Sequence, residues 1–114
     1  MNPKEAFIYV FNALEKYWKI PRNHWDTEQY NGLTSLLSDM SPSDTYPVSE
    51  YLNTGDPATW YDWLRAVNKV KNIEINQQEA IKAIIELMNE YKSQGLELDE
   101  AIDFMKKQLS SENS

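Results

Sequence analysis

Residues 55–70, GDPATWYDWLRAVNKV, constrain this chain more than any other stretch. Asp56 followed by Pro57 is a helix start. The carboxylate can accept from the free N–H groups of a first turn, and proline has a φ that suits a helix and no N–H to leave unsatisfied. Trp60, Trp63, Leu64, Val67 and Val70 then recur at i, i+3, i+4, i+7 and i+10, which puts all five on one side of a helix. Each tryptophan can bury about 200 Å². The spacing predicts the core helix of a small α-helical domain, with Trp60 and Trp63 as core residues.

Four other segments carry comparable signals. Residues 3–19 open with Asn2, Pro3 and Glu5, the pattern of a capping box, and bear an apolar stripe of Phe7, Val10, Phe11, Leu14 and Trp18, flanked by Tyr17. Ile20 precedes Pro21, which pushes it out of helical ψ and ends the helix. Asp26 or Thr27 can cap a second helix, with Gln29 placed to reach back to Asp26 and Tyr30, Leu33, Leu36, Leu37 and Met40 inward. Gly32 weakens that segment, because a mid-helix glycine costs about 1 kcal/mol against alanine. Asn76 and Glu79 form a second Asn-x-x-Glu box ahead of the stripe Ala80, Ile81, Ile84, Ile85, Met88 and Tyr91, with Gly95 as the terminating residue. A last helix over residues 98–109 turns Leu98, Ala101, Ile102, Met105 and Leu109 inward, with Glu100 early and Lys106 and Lys107 late, as the helix dipole favours.

The remainder is irregular. Residues 41–54 hold Pro42, Pro47 and several turn formers, with Tyr46, Val48, Tyr51 and Leu52 apolar enough to pin the loop to a core. The expected fold is therefore all-α: a single-domain bundle of about five helices over residues 1–109, one long loop at 41–54, and a disordered polar tail at 110–114.

Charge narrows the function classes. Eighteen acidic residues against eleven basic ones give a net charge of −7. Such a surface argues against nucleic acid, which calls for a basic patch, and against an anionic membrane; it suits a basic protein partner. No cysteine is present, so disulfides and thiolate metal sites are excluded. The apolar run at residues 7–11 is short and interrupted on both sides by Lys4, Glu5, Glu15, Lys16 and Lys19, so neither a leader nor a membrane span is expected and the location implied is cytoplasmic.

Chemistry is thinly represented. His24 is the only histidine, beside Trp25, and a nucleophile–base pair needs a tuned base next to a nucleophile. Gly32, Gly55 and Gly95 are isolated and compose neither a P-loop nor a dinucleotide fingerprint. Asp39, Asp44, Glu50, Asp56 and Asp62 are the carboxylates that could pair as acid and base, but Asp56 is accounted for as a cap and Asp62 falls on the wet face of its helix. Asp39 and Asp44 are five apart without the glycine that an EF-hand loop requires. These readings give a non-enzyme with no catalytic, cofactor-binding or metal-binding residues.

The acids and tyrosines outside the stripes admit two readings. Tyr46 and Tyr51 accompany Asp44 and Glu50 in the loop, and Tyr61 lies off the tryptophan stripe beside Asp62. Tyrosine offers contact area at low entropy cost and acids select a basic partner, which together make a binding surface. Equally, the loop tyrosines can simply tack the loop down. The first reading gives Asp39, Asp44, Tyr46, Glu50, Tyr51, Tyr61 and Asp62 as the partner-binding set.

The stretch SLLSDMSPSDTYPVSEYLNTGDPATWYDWLRAV, with its leucine-rich helix ending in Leu-x-Asp, polar loop and Asp-Pro-Ala-x-Trp-x-Asp-Trp-Leu helix start, resembles small all-helical bacterial immunity proteins. These belong to contact-dependent growth inhibition and related polymorphic toxin systems. The preceding ALEKYW is similar too, so the resemblance covers roughly residues 1–70. The loop bearing Pro42 and Pro47 is longer than that pattern, and no functional residue motif is carried over. The resemblance implies a non-enzymatic protein that binds and neutralises a cognate toxin domain; a nuclease toxin, basic because it binds phosphates, suits an acidic blocker. A helical adaptor or self-assembling interaction domain is the alternative.

Overall fold

The structure, a computed structural model, describes residues 1–21, 26–43, 52–70 and 74–112. Five helices are present among them: α1 (Pro3–Lys19), α2 (Thr27–Met40), α3 (Pro57–Val70), α4 (Gln77–Ser93) and α5 (Asp99–Glu112). They form an all-α bundle in which α4 packs most extensively on α3 and α5, while α1 crosses α2 and α4. Among the described residues the only extended pairing is an isolated antiparallel bridge between Ser43 and Asn53. No described helix is long and apolar enough to cross a membrane.

The helix starts follow from local chemistry. In both expected capping boxes the asparagine side chain accepts from the backbone N–H of the glutamate three residues on, at 2.8 Å for Asn2–Glu5 and 2.8 Å for Asn76–Glu79. The glutamate carboxylates accept the return bonds from the cap N–H groups. Asp56 Oδ1 accepts from Ala58 N–H at 3.0 Å, so Asp56 does cap α3. Asp26 caps α2 through the Gln29 N–H at 3.1 Å. The Gln29 side chain does not reach back to Asp26, however. Its Oε1 accepts from the Glu100 N–H at 3.0 Å and so caps α5, which starts without a side-chain cap of its own. α5 ends at Glu112, three residues beyond the expected Leu109, and so takes in the start of the expected tail.

One core joins all five helices. Trp63 is fully buried, meets Phe7 edge-on at 5.7 Å, and donates its indole N–H to the Pro3 carbonyl at 2.9 Å. Trp60 meets the same phenylalanine at 5.9 Å. The aromatic side of α3 thus locks onto the first turns of α1, and the indole leaves no unpaired polar atom behind. The buried face of α3 is Thr59, Trp60, Trp63, Ala66 and Val67, with Leu64 and Val70 only partly covered. On α1 Tyr17 is buried and stacks on Phe104 at 4.4 Å, whereas Phe11 and Trp18 are only partly buried. Trp18 lies across Tyr30 at 5.8 Å and donates to Thr34 Oγ1 at 2.9 Å. On α4 Ala83 and Leu87 are buried beside the expected stripe, because that helix has neighbours on two sides.

Gly32 has a packing reason. A Cβ at this position would overlap the carbonyl oxygen of Glu97, so α2 crosses the α4–α5 connection at backbone distance. Gly95 has φ +106°, the conformation expected of a helix-terminating glycine.

Candidate functional site

The end of α2, the start of α3 and the end of α4 converge on a groove of about 460 Å³. Its walls carry Asp39 from α2, Asp56, Thr59 and Asp62 from the start of α3, and Tyr91 and Gln94 from the end of α4. The local sequence builds it directly. The Asp56 N–H donates to the Asp39 carbonyl at 2.9 Å, so the chain returning from the long loop docks on the last turn of α2. Gly55 permits this, since a Cβ there would overlap the Ser38 carbonyl oxygen. The Thr54 hydroxyl donates to the Asp56 carbonyl at 2.6 Å, and Leu52 is fully buried. The Ser43 N–H donates to the Asn53 carbonyl at 2.8 Å, which brings the loop's two described ends together.

The three carboxylates differ in their surroundings. Asp56 is committed to the α3 cap. Asp62 accepts from the Tyr91 phenol at 2.6 Å and from Arg65 at 2.6 Å, and Arg65 also reaches Glu90 at 3.2 Å. Its side chain is only 19% exposed, so the expectation that Asp62 lies on the wet face is corrected: Tyr91 holds it from within and Arg65 covers it from without. The Asp39 carboxylate has no hydrogen bond or ion pair among the described residues, and burial, then the charge of Asp56, raises its pKa above the ordinary carboxylate value. Burial, then the bond to Asp62, raises the Tyr91 phenol far above the ordinary tyrosine value. The hydrogen bond and charge of Asp62 raise Arg65 further.

Of the expected partner-binding residues, Asp39 and Asp62 line this groove together. Tyr61 lies next to it on α3, 55% exposed, and does not line it. Asp44, Tyr46, Glu50 and Tyr51 lie outside the described residues, as do His24 and Trp25. Tyr91 and Gln94 join the groove although neither is among the expected site residues. Tyr91 was available as a signal: a tyrosine on an inner stripe needs a partner for its hydroxyl, and the facing helix offered Asp62.

Among the described residues no three His, Asp or Glu side chains converge as a metal set. What the groove offers is the Asp39 carboxylate, unpaired among the described residues, beside the capping Asp56 and the Arg65-paired Asp62, with an exposed tyrosine next to it. The chain matches no protein-family model, no curated protein and no solved structure.

Proposed function

We propose that this chain is a non-enzymatic, cytoplasmic immunity protein that binds and neutralises a cognate toxin domain of basic, nuclease type. The observation that carries the reading is the acidic groove of Asp39, Asp56 and Asp62, flanked by the exposed Tyr61. A toxin that binds phosphates presents lysine and arginine at its active site, and an acidic surface of this kind steers toward and covers such a site. The net charge of −7 adds long-range attraction of the same sign. The resemblance over residues 1–70 points the same way. Tyr61 is the aromatic anchor, and Asp39 and Asp62 select cationic groups on the partner.

The experiment is co-expression with the C-terminal domain of the protein encoded immediately upstream. The expected result is that this domain is toxic alone, that the present chain restores growth, and that the two co-purify. A domain that is harmless alone, or toxicity that persists with no co-purification, contradicts the proposal.

A further inference from the structure

We propose that the corner joining α2 to α3 is a charge-loaded hinge, in which the carboxylates of Asp39 and Asp56 repel one another and neutralising Asp39 tightens the corner. The geometry sets this up. Where the two helix ends meet, the corner is closed by the backbone bond from the Asp56 N–H to the Asp39 carbonyl at 2.9 Å and by the contact of Gly55 with the Ser38 carbonyl; farther along the loop the Ser43 N–H donates to the Asn53 carbonyl at 2.8 Å. The bond that shuts the hinge therefore joins the same two residues whose side chains line one groove and carry like charge.

The two carboxylates do not share the repulsion equally. Asp56 sits at the start of α3, where the helix dipole favours an anion and the Ala58 N–H donates to it. Asp39 sits in the last turn of α2, where the dipole disfavours an anion. The groups facing it across the groove are Asp56 and Asp62 from the start of α3 and the neutral phenol of Tyr91 and amide of Gln94 from the end of α4. The cations beside these groups are already paired, Arg65 with Asp62 and Glu90 and Lys92 with Asp99. Asp39 is thus the group whose charge the fold tolerates worst, in keeping with its raised pKa. As pH falls, Asp39 takes up its proton before an ordinary aspartate does, and the corner loses its repulsion.

The hinge is a property of the chain alone, whether or not the groove meets a partner. Amide hydrogen exchange at positions 56 and 59, expressed as protection factors so that intrinsic pH effects cancel, reads it directly. At neutral pH, D39N is expected to raise the protection of the residue 56 amide several-fold, and D56N, which keeps the Oδ1 acceptor for Ala58, to raise it less. The double variant gains no more than D39N alone, because one neutralisation already removes the repulsion. Wild-type protection climbs toward the D39N value as pH is lowered to about 4, the ordinary aspartate range, while D39N stays flat. Unchanged protection in D39N, or gains in the two single variants that add fully in the double, overturns the proposal.

Discussion

Tyr91 donates its phenol to Asp62 across the seam between α3 and α4, at 2.6 Å. The bond fixes one wall of the acidic groove and holds a carboxylate in place without neutralising it. Tyr91→Phe is expected to cost about 1.5 kcal/mol, typical for a hydrogen bond to a charged acceptor, measured by urea unfolding at neutral pH. The pH dependence has a definite sign. The Tyr91 pKa is raised above 10.0 in the fold, so its contribution is fully present below pH 10.0 and is lost as pH rises through the folded value. An alkaline titration of tyrosinate absorbance should show one late-ionising tyrosine in the wild type, missing in Tyr91→Phe.

Gly32→Ala is expected to destabilise the protein by about 2 kcal/mol, the range of an overpacked core. Helix propensity alone predicts the opposite sign, a gain of about 1 kcal/mol. The contact with the Glu97 carbonyl decides between them, because backbone cannot swing away as a side chain can. Equilibrium unfolding of the variant gives the sign.

Gln29→Ala should loosen the start of α5 by about 1 kcal/mol, the usual value of a lost cap. The Glu100 N–H loses its acceptor, and the Nε2 contact to Glu97 at 3.4 Å goes with it. Lys92 still holds Asp99 at 2.5 Å, so the helix frays rather than detaches. Amide exchange should rise at positions 100–102 and remain unchanged in α3.

Trp63→Phe removes both indole bulk and the bond to the Pro3 carbonyl, at an expected cost of about 2–3 kcal/mol. Tyr61→Ala on the same helix should leave stability within about 0.5 kcal/mol, as for an ordinary surface change. Thermal unfolding of the pair separates the core side of α3 from its outer edge.

Much of the fold was legible because helix starts are local. Asn2 with Glu5, Asn76 with Glu79, and Asp56 with Pro57 each need only four residues to declare themselves. What escaped was every pairing that depends on which helices become neighbours. Gln29 looked like a second half of its own cap and instead serves a helix 71 residues away. Trp18 looked like core and lies half-covered against Tyr30. The groove was partly legible: Asp39, near the end of its helix, and Asp62, on the outer edge of α3, both belong to the expected partner-binding set. Tyr91 reads in the sequence as an ordinary stripe residue, because its link to Asp62 spans 29 positions and exists only once α3 and α4 pack. The loop acids and tyrosines, Asp44, Tyr46, Glu50 and Tyr51, fall outside the described residues.

The most direct measurement is titration calorimetry of the purified chain with the purified toxin domain encoded immediately upstream, at low and high salt. A one-to-one complex is expected, weakening about tenfold or more as salt rises toward molar concentration, where charges are screened beyond about 3 Å. Asp39→Asn and Tyr61→Ala should each weaken binding about tenfold or more while the folded protein remains intact. The absence of a complex, or one indifferent to salt and to both substitutions, contradicts the proposed function.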